Sequence, residues 1–343
     1  MDKIKSWLES TEYKEYSVAI ASADASFRKY YRLRDMGEIL NQVQNDGRVV
    51  QDDEQPVIPG LTRNLNTFLL MDASLEKESL HPFLDVTKRL HKVGVLAPQI
   101  YKQDLQEGYL ILEDFGDTNL LSQLRQESFE ALYIQAIEQI ILMQKADAKG
   151  LPLYDKAFLH FEMDLMGEWY LQKLLGWCLD ETQQKLLAQT LDTISEVVLS
   201  QPQGVFVHRD FHSRNIMITE QGALGIIDYQ DAMCGAFTYD LVSLLKDCYI
   251  SYEREKIEKL ALIFRDQKAL DVADEVFLKW FDFMGLQRHI KVLGVFSRLW
   301  LRDGKEGYLG DIPLTLSYVL ETASRYKETE DFAKMLKDLT SKR

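Results

Sequence analysis

Three side chains in the second half of the chain have the types and spacing that phosphoryl transfer requires. In Val207-His208-Arg209-Asp210-Phe211-His212-Ser213-Arg214-Asn215 a carboxylate precedes an amide within one short frame, and Gly225-Ile226-Ile227-Asp228 adds a second carboxylate downstream. Transfer of a phosphoryl group asks little covalent chemistry of a protein. It needs a carboxylate at the attacking hydroxyl, an amide oxygen for one Mg²⁺, and a carboxylate for the Mg²⁺ that bridges the phosphates. Asp210, Asn215 and Asp228 can take these roles in that order. The bland reading is that Asp210 and Asn215 cap turns and Asp228 ends a strand. The H-R-D-x-x-x-x-N frame, with its second Asp after an apolar stretch, favours the chemical one.

Such a set must be held by short rigid elements. Val205 to Val207 and Leu224 to Ile227 read as apolar strands on either side of the loop. Nearer the N-terminus the pattern predicts a helix within residues 1–16 and strands at Ser17 to Ala21, Phe27 to Leu33, Thr67 to Met71 and Gly108 to Asp114, with a helix from Pro82 to Val93. From residue 116 onward helices dominate: Ala131 to Lys145 (Ile134, Ile137, Ile140 and Ile141 near helical spacing), Phe161 to Leu175, Gln183 to Leu199, Tyr239 to Cys248, Val272 to Gly285 and Leu286 to Leu301. The fold expected is α+β with two lobes. A small β-rich nucleotide-binding lobe spans residues 1–115, and a larger, mainly helical catalytic and substrate lobe spans 116–343. The small lobe carries a polar insert, 41–66, rich in Gln, Asn and Asp. Long surface insertions cost little loop-closure entropy, so the insert is expected to be a tolerated excursion.

Composition narrows the class of partner. The chain has 343 residues, 46% of them hydrophobic and 27% charged, with a net charge of −14. That balance argues against nucleic acid, whose backbone wants Lys and Arg clusters. An anionic ligand would need a local basic pocket. Cys178, Cys234 and Cys248 are too far apart for a disulfide framework or a metal knuckle. No signal peptide and no apolar run long enough for a membrane span is read, so a cytoplasmic setting is expected.

The stretches His208 to Asn215, Ile227-Asp228-Tyr229-Gln230-Asp231-Ala232 and Thr238-Tyr239-Asp240-Leu241 onward resemble the aminoglycoside phosphotransferase and choline kinase superfamily, which shares the protein-kinase-like two-lobe fold. Within it, Asp24-Ala25-Ser26-Phe27-Arg28-Lys29-Tyr30-Tyr31-Arg32, Leu70 to Glu78, Gly285 to Gly294 and Arg302-Asp303-Gly304-Lys305 look most like the anomeric kinases of peptidoglycan recycling. Those enzymes phosphorylate N-acetylmuramate and N-acetylglucosamine at C1.

The resemblance implies ATP and Mg²⁺ as cofactors and a small amino sugar as acceptor. Asp210 would orient or deprotonate the sugar hydroxyl, and Asn215 and Asp228 would hold Mg²⁺. His208 and Arg209 would brace the loop, and Asp240 would hold it by hydrogen bonds. The turn Ser22 to Ser26, with Ser22, Asp24 and Ser26, lies where the family covers the phosphates. Glu113 to Phe115 would be the hinge that pairs with adenine. Two features depart from the kinase pattern. The turn has no glycine, and Met71 and Asp72 stand near where the third-strand lysine would fall. Arg28 and Lys29, then Arg32, are the candidates to replace that lysine, and each is equally a solvated strand charge. Glu162, Glu168, Trp169, Gln287, Arg288 and His289 sit on helices that could wall the sugar pocket. Arg288 or Arg214 could bind a muramyl carboxylate, or Arg288 could be an ordinary helix ion-pair partner. His212 and His289 read more readily as structural histidines. Two alternatives stay open: another small-alcohol kinase of this superfamily, and a nucleotide-binding pseudokinase. The sequence does not specify the oligomeric state.

Overall fold

The computed structural model describes residues 1–23, 28–35, 67–77 and 80–341. Asp24, Ser26 and the insert 41–66 lie outside them, and Ser22 is described only through its backbone. The described residues form two compact units, Met1–Asp85 with Pro98–Gly116, and Val86–Ala97 with Asp117–Arg343.

The first unit is built on an antiparallel sheet of β1 (Tyr16–Ala23), β2 (Lys29–Asp35), β3 (Thr67–Asp72), β4 (Ile100–Asp104) and β5 (Tyr109–Glu113), in the order β1-β2-β3-β5-β4. Period-two alternation puts Tyr31, Leu33, Leu70, Tyr109 and Ile111 into one core with Ile4 and Leu8 of α1 (Asp2–Glu9). Trp7 closes the edge by donating its indole N–H to Asp104 Oδ2 at 2.8 Å. The three strands expected before residue 72 are present. β4 was not anticipated, because its alternation of charged and apolar residues is short and lacks turn signals. Met71, near the missing lysine, is fully buried. Lys29 pairs across the sheet with Asp72, and Arg32 forms a two-pronged ion pair with Asp114 at 2.6 and 3.1 Å.

The chain then runs through α2 (Leu80–Lys92) to the helical unit. Its elements are α3 (Leu120–Gln123), α4 (Phe129–Met143), α5 (Lys156–Leu165), a π-helical turn (Met166–Leu174), α6 (Glu181–Ser200), β6 (Val205–Val207), β7 (Ile216–Ile218), β8 (Leu224–Ile226), β9 (Met233–Gly235), α7 (Tyr239–Leu245), α8 (Arg254–Gln267), α9 (Asp274–Asp303), α10 (Ile312–Ala323) and α11 (Glu330–Thr340). Asp155 and Asp180 start α5 and α6 by accepting the N–H of Phe158 and Gln183. The cap at Asp155 places the start of α5 ahead of the Phe161 expected from periodicity.

Helix α9 is the axis of this unit, and it corrects one expectation. The two helices read as ending and beginning at Gly285 and Leu286 are one continuous helix of 30 residues. A glycine costs a helix about 1 kcal/mol relative to alanine. A Cβ at Gly285 would make only ordinary contact with the Lys246 stem, at 3.6 Å, so packing does not demand the glycine there. Gly294 is stricter. A Cβ there would lie 2.4 Å from the Leu165 carbonyl carbon and 2.6 Å from its Cβ. The backbone of α9 thus lies against the end of α5, one residue before the π turn begins. Gly294→Ala should therefore lower the melting midpoint, by an overpacking cost of about 1–3 kcal/mol or more because the obstacle is backbone. An unchanged midpoint in a thermal scan would refute this packing argument.

The three cysteines are unpaired. No helix among the described residues is long and apolar enough to cross a membrane.

Candidate active site

Two small hairpins display the loop. β6 pairs with β9 and β7 with β8, so the two strands read from the sequence do not pair with each other. His208 to Asn215 links β6 to β7, and Asp228 follows β8. The loop carries strained backbone. Arg209 has φ 76° and Asp228 has φ 64°, conformations that a side chain with a Cβ seldom adopts and that cost about 1–3 kcal/mol each.

The surroundings impose that strain by satisfying the loop's backbone groups one by one. Asp240 accepts the N–H of His208 (2.8 Å) and of Arg209 (3.1 Å), as expected of it. Arg288 donates to the Arg209 carbonyl at 2.9 Å. Asp247 accepts the N–H and the hydroxyl of Ser213. His208 takes the Asp210 N–H at Nδ1 and donates from Nε2 to the Ile227 carbonyl at 3.1 Å, which ties the loop to the strand leading to Asp228. Burial holds the His208 ring below its ordinary pKa, so it stays neutral in that tautomer.

Within this frame the three chemical residues converge. The Asn215 amide nitrogen donates to the Asp210 carbonyl at 3.1 Å and to Asp228 Oδ2 at 3.2 Å. Its two N–H groups are thereby used, which turns the amide oxygen into the group on offer to a cation. Gln230 steadies Asp228 by donating to Oδ1 at 2.8 Å. One carboxylate and one amide oxygen suit Mg²⁺, which takes few protein oxygens and fills its octahedron with phosphates and water. No group of three or more His, Cys, Asp or Glu able to hold a metal occurs among the described residues.

Asp210 lines a cavity of about 80 Å³ together with His212, Asp247, Tyr249, Arg288, Lys291 and the apolar Val292 and Phe296. Burial alone would raise its carboxyl. Lys291 and Arg288, then His212 and Arg209, outweigh burial and hold it at about 2. Arg214 lies over the Tyr249 ring, 3.5 Å from its centroid.

Other expected wall residues lie elsewhere. Glu162 and Gln287 are inside the unit, 3% and 0% exposed. Glu162 Oε1 binds Arg209 at 2.6 Å and Lys291 at 2.8 Å, while Oε2 accepts from Tyr154 and from Gln287. His289 stacks on Tyr318 and bonds the Lys246 carbonyl, and burial pushes its pKa down to about 3. Trp169 is half-buried on the π turn beneath the Lys173 ammonium. In the first unit Arg28 is buried, Lys29 is exposed, and Phe115 is buried just beyond Glu113, whose backbone N–H is taken by the Gln99 carbonyl at 2.8 Å. Sequence reasoning missed Lys291, Tyr239 and Tyr154. The available signal was the i, i+1, i+4 run Gln287, Arg288 and Lys291, polar residues on a face that α9 buries.

A five-stranded antiparallel unit and a helical unit carrying this loop define a protein-kinase-like phosphotransferase. The chain belongs to the phosphotransferase enzyme family, whose pattern matches residues 18–266. It is 36% identical over 348 residues to the N-acetylmuramate/N-acetylglucosamine kinase of Neisseria meningitidis serogroup B, covering 98% of this chain and 95% of that one. A kinase of the same name from Pseudomonas aeruginosa is 35% identical, over 93% of this chain and 87% of its own. Solved structures share the fold at lower identity. The ADP-bound aminoglycoside phosphotransferase APH(2'')-Ib gives a TM-score of 0.60 at 14% identity, covering 93% of this chain and 98% of that one. Choline kinase LicA from Streptococcus pneumoniae gives 0.59 at 12%, again covering 93% of this chain and 98% of its own.

Proposed function

We propose that the protein is an ATP-dependent sugar kinase that phosphorylates the anomeric hydroxyl of N-acetylmuramate and N-acetylglucosamine, as part of cell-wall amino-sugar recycling in the cytoplasm. The observation that carries phosphotransfer is that Asn215, on the same braced loop as Asp210, bonds both the Asp210 carbonyl and Asp228, one hairpin away. The near full-length similarity to two kinases named for these sugars supports the choice of acceptor.

Asp210 accepts a hydrogen bond from the attacking hydroxyl and aligns it. A carboxylate held near 2 is a weak base, so it takes the proton only as the new O–P bond forms. Asn215 and Asp228 hold Mg²⁺, which neutralises charge on the nucleotide phosphates. Residues 116–343 carry out catalysis and acceptor binding. Nucleotide binding is assigned to residues 1–115: the turn with Ser22, Asp24 and Ser26 and the cations Arg28 and Lys29 for the phosphates, and Glu113 to Phe115 for the base. Arg32 is the weaker candidate, being engaged by Asp114.

The position of transfer has a chemical signature. A free amino sugar opens to its aldehyde and reduces ferricyanide, whereas a phosphate on O1 locks the ring. Reducing power should therefore fall in step with ATP consumed, for both sugars and only with Mg²⁺ present. ATP use at constant reducing power would move the phosphate to another hydroxyl and favour a general small-alcohol kinase. No ATP use with any acceptor would favour a pseudokinase.

A further inference from the structure

Helix α9 brings two cations to the cavity that Asp210 lines, and they are engaged differently. Arg288 is 4% exposed and turns Nη1 to the Arg209 carbonyl and, at 3.5 Å, the Tyr239 hydroxyl, while its Nε is buried without a partner. Lys291 is anchored on its buried side, to Glu162 Oε1 at 2.8 Å and the Tyr239 hydroxyl at 3.1 Å. An ammonium has three N–H donors. Two are used, and the side chain remains 11% exposed, at the cavity. One donor is left for whatever enters beside Asp210.

The charge balance says what that should be. Lys291 and Arg209 share Glu162, and Lys291 and Arg288 are both set against Asp210. Asp247 adds another acid to the wall. The cavity has no spare positive charge for a second anion, so the remaining N–H suits a neutral oxygen.

We propose that Lys291 binds the acceptor sugar directly, donating its remaining N–H to a neutral ring or hydroxyl oxygen next to the one that reacts. The assignment rests on the sugar-kinase reading above. It makes Lys291 a specificity residue that selects polyhydroxylated acceptors through an atom shared by both sugars, not through the muramyl carboxylate. Glu162, with Tyr154 and Gln287 behind it, fixes the position of the ammonium.

The test is Lys291→Met, compared with wild type on N-acetylmuramate and N-acetylglucosamine. The variant does not orphan a buried carboxylate, because Glu162 keeps Arg209 at 2.6 Å. The acceptor KM should rise about tenfold to a hundredfold, equally for both sugars, as for loss of one charge-assisted hydrogen bond. The KM for ATP should not change. An unchanged acceptor KM overturns the assignment. So does a loss confined to N-acetylmuramate, which would make Lys291 a carboxylate reader, or an equal rise in the acceptor and ATP KM values with a lower melting midpoint, which would make it structural. Should that variant not fold, Lys291→Gln, which leaves the Glu162–Arg209 pair in place and stops short of the ammonium's reach, is held to the same criteria. Wild-type protein inactive on both sugars would remove the sugar-kinase reading, and this assignment with it; an active wild type with an unaffected variant removes the assignment alone.

Discussion

Asp210→Asn is expected to lower kcat by about 10²–10⁴, the range for removal of a positioned proton acceptor. The substitution preserves shape and leaves the loop's own hydrogen bonds in place, since the bonds from His208, Asn215 and His212 go to the backbone of residue 210. What is lost is the carboxylate, which alone can receive the hydroxyl proton as the O–P bond forms. Nucleotide affinity should survive, because Asn215 and Asp228 are untouched. Turnover and nucleotide binding must therefore be measured separately, the latter by equilibrium titration with Mg²⁺. Full turnover would end the assignment of Asp210. The held pKa adds a check on pH. A group at about 2 is ionised through the whole working range, so the wild-type rate should show no loss from Asp210 between pH 8 and the ordinary carboxylate range near 4.

The second large effect is on stability. Asp282 is wholly buried and accepts from Lys246 (2.8 Å), from Arg254 twice (2.7 and 3.1 Å) and from Tyr326 (2.9 Å). Lys246 sits at the end of α7, Arg254 starts α8, and Tyr326 follows α10, so one carboxylate on α9 gathers three other segments. Asp282→Ala would leave the Lys246 ammonium buried without its counter-ion. Breaking a buried pair from one side costs about 3–5 kcal/mol, so the melting midpoint in a thermal scan should fall by several degrees. Burial alone would raise this carboxyl, but Lys246 and Arg254 hold it at about 2. The sign follows from a depressed folded value. The contribution is fully present above the ordinary carboxylate range and is lost as pH falls toward 2. The difference between wild type and variant should therefore be flat at neutral pH and shrink only in acid. A variant as stable as wild type at pH 7 would show that the network is neutral in net effect.

The chemical triad was legible because phosphoryl transfer constrains residue types along a short stretch of chain. Asp210 and Asn215 lie on one loop, and Asp228 lies one hairpin away, so local spacing carries most of the geometry. The strands around them, β6 and β8, were legible as apolar runs, and α4 and α6 through their period. Their partners were not. β9 is three residues, Met233–Gly235, too short to stand out from its surroundings, and it takes β6 while the equally short β7 takes β8. The join at Gly285 shows the same limit from the other side. A glycine within an apolar period reads as a stop, whereas the helix runs on because the residues on both sides of Gly285 are buried in the unit.

The acceptor pocket divides along this line. Sequence alone determined that the chain has a carboxylate, an amide and a second carboxylate in the order a phosphotransferase uses, because those parts are close in the chain and their chemistry names their types. It could not determine which polar residues of α5 and α9 touch a ligand. Glu162, Gln287, Arg288 and Lys291 are all charged or polar residues on helices, and nothing in their types separates a wall from a brace. Tertiary packing made that choice. It buried Glu162 between Arg209 and Lys291, turned Arg288 to the loop's own carbonyl, and left one donor of Lys291 at the cavity. A buried charge must be paired where it is buried, and that pairing depends on neighbours far along the chain, 47 residues for Arg209 with Glu162 and 79 for Arg288 with Arg209, which no local pattern encodes.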